Sequence, residues 1–242
     1  MISTIPAYMK THSILSLVVS GWFVQNASSQ TSFTNLNFDS AVLVPISQGY
    51  VEFAPAFPGW TAYVGGVSQG FALYNNQFLA SSGIGLVDAN SQFGDPISGQ
   101  FTAYLQAGDA LGGGGPADAA LAQTGLVPLL AQSLRFRAQR FGFFGPGSGD
   151  LVVTLNGQPL SLIPVGTGVN YTTYAADIHD WAGQTAELRF TAVATLPRFE
   201  NNNWFLDSIN LSSVPVPEPS AYALLAVGAL VVWAGRRQFK RK

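Results

Sequence analysis

Two stretches of this chain alternate strictly between apolar and polar residues, and that alternation constrains the fold more than any other feature. In SLRFRAQ, Leu134, Phe136 and Ala138 fall on one side and Arg135, Arg137 and Gln139 on the other. TAELRFTA repeats the device, with Ala186, Leu188, Phe190 and Ala192 opposed to Thr185, Glu187, Arg189 and Thr191. A period of two builds one face of a pleated strand, whereas a helix would scatter the same residues around its circumference. DLVVTLNGQPLSLIPV adds a hairpin signal, because Asn156 and Gly157 both tolerate the positive φ of a tight two-residue turn. NNWFLDSINLSS supplies a last strand, and Asn35–Phe38, Gly70–Tyr74, Ser98–Leu105 and Gly125–Pro128 are further strand candidates. The stretch GDALGGGGPADAALAQTG reads instead as a surface loop with a short helical turn. About eight to ten short strands separated by turns predict an all-β chain folded as an antiparallel β-sandwich.

Composition removes several chemistries. With no cysteine there is neither a disulfide framework nor a thiolate metal site. The formal net charge of −2 hides a strong asymmetry, because Arg236, Arg237, Lys240, Arg241 and Lys242 crowd the end of the chain. Residues 30–214 keep five Arg against twelve Asp and Glu, a balance of −7 that is a poor match to nucleic acid.

Both ends read as addresses. MKTHSILSLVVSGWFVQNASSQ has a basic start at Lys10, an apolar core from Ile14 to Val24, and small residues at Ala27 and Ser29 ahead of Gln30. That is the pattern of a signal helix cut by signal peptidase, so residues 1–29 are expected to be a signal peptide. The eight residues before Met9 carry no charge, which makes Met9 an alternative start. At the other end, Ala221 to Gly235 is free of charge, but at 1.5 Å per residue it spans only about 22 Å of a roughly 30 Å hydrocarbon core. Pro215, Pro217 and Pro219 forbid extending that helix backwards. The expected organisation is a sandwich at 30–213, a Pro-rich linker at 214–220, a short transmembrane helix at 221–235 and a basic cytoplasmic tail at 236–242.

Pro217-Glu218-Pro219, a short apolar helix and an Arg-rich terminus, in that order, resemble the PEP-CTERM sorting signal of Gram-negative bacteria. The resemblance implies an exported protein held at the inner membrane by its tail and then processed by an exosortase. It further implies delivery to the outer surface or an extracellular matrix, in hosts that make exopolysaccharide or biofilm.

Within the body, YTTYAADIHDWAGQTAELRFTA followed by WFLDSINLS resembles the closing half of galactose-binding-like and carbohydrate-binding-module jelly rolls. Gly183, Leu188, Phe190, Phe205, Asp207, Ile209 and Leu211 are the matching positions, and NLNFDSA and FPGWTAY are similar to the opening strand and first loop. The resemblance implies a jelly-roll sandwich, with polysaccharide as a partner and a structural calcium near the closing strand.

Chemistry is harder to find. GVSQG fits the formula of a nucleophile elbow at Ser68, but its flanks offer neither the preceding buried parallel strand nor the following helix. One histidine in the body, His179, cannot build a zinc site. Alternation places Asp207 on the face of Phe205, Ile209 and Leu211, so its carboxylate needs compensation from a cation, an Arg or backbone donors. Calcium would draw on Asp207 and Asp39 together with carbonyls around Asn37–Ser40. No other cofactor is expected. Sugar binding would use Trp60, Trp181 and Trp204 as platforms and Asn201, Asn202 and Asn203 as amide donors. The expected function is therefore a sorted, non-enzymatic sandwich that binds polysaccharide or serves a structural role in a matrix. The competing class is an exported glycoside-hydrolase-like enzyme; Asp177 and Asp180 are the nearest acidic neighbours it could use, their blander role being to cap a turn, and no catalytic residue is assigned.

Overall fold

The computed structural model describes residues 31–111, 113–141, 149–195 and 202–217. The expected signal peptide, transmembrane helix and basic tail lie outside them, as do Asn201, Glu218 and Pro219. Among the described residues no helix is long and apolar enough to cross a membrane.

The first half contributes β1 (Pro45–Ser47), β2 (Tyr50–Glu52), the single-turn helix α1 (Phe53–Ala56), β3 (Thr61–Val64), β4 (Val67–Ser68), β5 (Phe71–Tyr74), β6 (Gly83–Val87), β7 (Thr102–Asp109) and β8 (Pro116–Ala117). The second contributes β9 (Ala119–Leu126), β10 (Ser133–Phe141), β11 (Leu151–Leu155), β12 (Gln158–Pro159), β13 (Ile163–Thr167), β14 (Thr172–Asp177), β15 (Thr185–Ala192) and β16 (Asn202–Ser212). They form two sheets. The larger runs β1-β2-β5-β6-β7-β16-β10-β14-β13, with β8 paired to β7, and the smaller runs β12-β11-β15-β9-β3-β4. Pairing is antiparallel throughout except between β5 and β6.

The alternating stretches supply the centre of both layers. Leu134, Phe136 and Ala138 of β10 face Ala186, Leu188, Phe190 and Ala192 of β15, each of these at most 1% exposed. Phe136 meets Phe190 edge-on with ring centroids 5.1 Å apart, a geometry that aromatic quadrupoles favour. The hairpin forms as expected, with φ of 49° at Asn156 and 76° at Gly157 between β11 and β12.

Two expectations are overturned. Asn35–Phe38 is a turn with positive φ at both of its end residues, and the presumed loop at Gly108–Gly125 contains β8 and nearly all of β9. β9 sits between β15 and β3, and Arg189 lies over Tyr63 at 4.4 Å on the outer side. Arg189 is paired with Ala122 and Tyr63 with Ala120, so the outer alanines are covered too. A strand covered on both faces needs no polar alternation, and alanine advertises it poorly.

The larger sheet is also covered on part of its outer face. Val87, Ile97, Tyr104 and Phe205 form a second apolar cluster with Phe93, Phe141 and Tyr171 packed against it. A bulge in β16 makes this possible. Arg135 pairs with Asn210 and Arg137 with Asp207, so two steps on β10 match three on β16. Ser208, at φ 52°, absorbs the extra residue. Phe205 and Asp207 therefore point to the outer face, while Ile209 turns back to the main core. The single face expected for Phe205, Asp207, Ile209 and Leu211 is broken at that point.

Candidate functional site

Asp207 is fully buried, as the alternation requires, but beneath a loop and not between the sheets. Its Oδ2 accepts hydrogen bonds from the Thr102 hydroxyl at 2.6 Å and the Ser98 amide at 3.1 Å. Its Oδ1 accepts from the amide and hydroxyl of Ser208. Burial pushes its pKa up to about 6, and these donors pull against that rise without cancelling it. Asp39 holds the same loop from the other side, accepting from the amides of Gln100 at 2.7 Å and Phe101 at 3.1 Å and from Asn37 Nδ2 at 2.9 Å. Between them Gly99 sits at φ 63°, with no room for a Cβ against the Asp39 carboxylate.

The two expected calcium ligands thus meet at one loop, as its anchors. N–H and O–H donors surround both carboxylates where a calcium ion would need oxygen ligands, so the surroundings do not fit that ion. Among the described residues no group of three His, Cys, Asp or Glu is arranged to hold a metal.

The expected sugar platforms are mostly core. Trp60 is 5% exposed, donates from Nε1 to the Asn35 carbonyl at 3.1 Å, and packs against Phe38 and Phe190. Trp204 is 6% exposed and donates to Asn202 Oδ1 at 3.0 Å. Asn202 in turn donates to the carbonyls of Asp150 at 3.0 Å and Val193 at 2.9 Å, joining the start of β16 to the smaller sheet. These three are corrected from loop ligands to buried structure: β16 begins at Asn202 and draws Asn202 and Trp204 inside, while Trp60, just ahead of β3, packs on Phe38 and Phe190. Trp181 alone of the expected tryptophans is half-buried, on the 3-10 turn His179–Trp181.

Asn203 differs from its neighbour. It is fully buried on the outer face of the larger sheet, paired across to Gln106 of β7 and Phe141 of β10. Neither its Nδ2 nor its Oδ1 has a hydrogen-bond partner. Gln106 cannot help, since its amide is committed to the backbone of Phe78 through bonds of 3.2 and 2.6 Å. Leaving such a group unpaired costs about 1–3 kcal/mol, and because neither atom reaches solvent the amide is a local cost of the packing beneath the outer face. Beside it runs a half-exposed strip: Gln139 and Phe141 on β10, Thr173 on β14, and Tyr171, whose ring lies 4.8 Å from the Arg137 guanidinium carbon. No motif in the sequence signals this strip, because the bulge and the cross-strand register bring it together.

The acidic pair offered for hydrolysis does not form a cleft. Asp177 Oδ1 lies 2.8 Å from His179 Nδ1, and Asp180 Oδ1 lies 3.0 Å from His179 Nε2, all three side chains being more than half exposed. The hydrogen bond to Asp177 and the charges of both carboxylates raise the His179 pKa. Burial alone would raise Asp177, but the His179 amide and ring outweigh it and hold that carboxyl low. Ser68 lies in the two-residue strand β4, paired with Tyr63 after a Gly65-Gly66 turn, so no nucleophile elbow exists there.

After β16 the chain stays attached. Ser133 Oγ donates to the Val214 carbonyl at 2.6 Å and Arg135 Nη2 to that of Pro215 at 3.2 Å. The body is thus a two-sheet sandwich that delivers a proline-rich segment from one end of β10. Residues 215–238 match the PEP-CTERM protein-sorting motif, so the chain carries that sorting signal.

No curated protein matches the chain by sequence. Several solved structures resemble it, three of them as follows. One concerns carbohydrate-binding modules of the β-sandwich superfamily, with TM-score 0.40 and 10% identity over 76% of this chain and 63% of that one. Another is TmCBM61 in complex with β-1,4-galactotriose, with TM-score 0.35 and 14% identity over 75% of this chain and 97% of that one. The third is the enzymatically active domain of tailspike protein 4 of bacteriophage CBA120, with TM-score 0.36 and 16% identity. That match covers 72% of this chain and 21% of the tailspike, so the chain spans about a fifth of its length.

Proposed function

We propose that this protein is exported, passed to an exosortase through its C-terminal signal, and delivered to the cell envelope or extracellular matrix. There its sandwich acts as a non-enzymatic module that binds polysaccharide. The sorting half of this reading rests on the motif at 215–238. The binding half rests on the half-exposed outer strip of Gln139, Phe141, Tyr171 and Thr173. A sugar hydroxyl is donor and acceptor at once and can pair with the Gln139 amide and the Thr173 hydroxyl. The neighbouring Tyr171 and Phe141 offer apolar ring surface of the kind on which a pyranose packs.

The test is a polysaccharide array and titration calorimetry on the exported form. A Gln139→Ala variant should lose about tenfold in affinity, the equivalent of one unmade hydrogen bond, without losing thermal stability. Absence of binding to any polysaccharide would sink the sugar reading and leave a structural matrix role.

A further inference from the structure

We infer that one end of the sandwich is a lipid-facing surface, seated on the bilayer by the turn Pro128–Ala131 while the tail holds the protein at the membrane; this rests on the anchoring reading above. Leu129 and Leu130 are 76% and 75% exposed at the tip of that turn, side by side and without cover. Adjacent exposed leucines at a turn have no role in the core, which Val127 and Ala131 already serve from either side.

The fold brings three things to this tip. The first is the exit towards the sorting signal. The Gln132 amide donates to the Ser212 carbonyl at 2.7 Å, and Ser133 holds Val214, itself 56% exposed. The second is the entry of the described body, since the Leu126 amide donates to the Thr31 carbonyl at 2.9 Å. The third is the turn carrying half-buried Trp181. The Ile178 amide donates to the Gln132 carbonyl, the Gly183 amide to the Val127 carbonyl, and Leu129 lies against Gly183. Exposed leucines on a turn next to one that carries a partly buried indole are a composition that settles at a membrane–water boundary.

Tether length makes the placement specific. From Pro217, the last described residue, to Ala221, the first residue of the charge-free run, there are four steps. Four extended residues reach at most about 14 Å. A headgroup layer is roughly 5–8 Å deep on each side of the hydrocarbon core. A body tied at Val214 and Pro215 is therefore kept close to the headgroups of a bilayer that holds residues 221–235, and the end it presents is the one bearing Leu129 and Leu130. The acidic side chains of Asp177 and Asp180 at this end give anionic lipid no attraction, so the contact is apolar and insensitive to salt.

The absence of native cysteine permits a clean test in the full chain. Leu130→Cys and Val169→Cys would each carry an environment-sensitive nitrobenzoxadiazole label in phosphatidylcholine vesicles containing headgroup-proximal spin-labelled lipid. Val169 is fully exposed between β13 and β14, at the opposite end of β14 from Asp177, and serves as the water-facing reference. The label at 130 should shift to the blue and be quenched several-fold more than the label at 169, in low and high salt alike. Equal quenching at the two positions in chains that float with the vesicles would overturn the lipid-facing end and leave anchoring intact. Chains that do not float would overturn both. A blue shift at 130 that persists in detergent and grows with protein concentration would assign the leucines to a second copy of the chain, and would equally overturn the proposal.

Discussion

Replacing Asp207 by Asn should change how stability depends on pH, and the structure sets both sign and size. Desolvation raises the folded-state pKa from an ordinary 3.8 to about 6. Between those values the folded chain holds a proton that the unfolded chain has released, so this carboxyl makes folding less favourable as pH rises through that window. At about 1.36 kcal/mol per pH unit, a rise of roughly two units corresponds to about 3 kcal/mol by pH 7. Asp88 and Asp177 are both held below the usual carboxylate range and act in the opposite direction, losing stability as pH falls. The diagnostic is therefore the difference between variant and parent. An Asn side chain cannot ionise, and it presents one NH₂ where Asp207 accepts from donors, which adds a constant penalty. Urea unfolding of both proteins at pH 4, 5, 6 and 7 should show the variant gaining about 2.5 kcal/mol relative to the parent from the lowest pH to the highest. With urea m-values of about 1–3 kcal/mol/M, that is a relative midpoint shift of about 1–3 M. Parallel pH profiles, equal within about 0.5 kcal/mol, would refute the account of Asp207 as a desolvated carboxylate.

Three further outcomes follow from the same geometry. Because donors fill the surroundings of Asp207 and Asp39, adding a calcium chelator should leave the melting temperature unchanged, and a drop of several degrees would restore calcium to that loop. NMR titration of His179 should give a pKa above the ordinary 6.5, returning towards it in Asp177→Asn, where the charged hydrogen-bond acceptor is lost; with this sign, any stability the pair supplies is present at low pH and disappears as the imidazolium deprotonates. Asn202→Ala should cost about 3 kcal/mol in urea unfolding, since it strands the Trp204 N–H and the carbonyls of Asp150 and Val193.

The strands that could be read in the sequence are those with one wet face. β10 and β15 alternate because Arg135, Arg137, Glu187 and Arg189 remain partly exposed on the outer sides while their neighbours are buried. β9 could not be read, because Tyr63 and Arg189, distant in sequence, dry its second face. Asp207 shows the same limit within one residue. Its burial follows from alternation, but its direction depends on the bulge at Ser208, which exists only once β16 is laid against β10. The tryptophans failed as site markers for a related reason: FPGWTAY and NNNWF have turn-like flanks, yet Trp60 and Trp204 lie in the core.

The contrast between the sorting signal and the outer-face strip has a physical origin. Pro217-Glu218-Pro219 and the apolar run after it are contiguous, and a peptide recognised by a processing enzyme carries its information along the chain, independent of any fold. Asn203 acquires its character only by position. Asn202, one residue earlier, faces the smaller sheet and is satisfied on both atoms, while Asn203 faces the outer side and has nothing. A one-residue slip of β16 would exchange the two, because successive side chains point to opposite faces. The pairing of Asn203 with Phe141 and Gln106, not the run of asparagines as such, leaves one amide unpaired beneath the outer face and makes the other a structural joint.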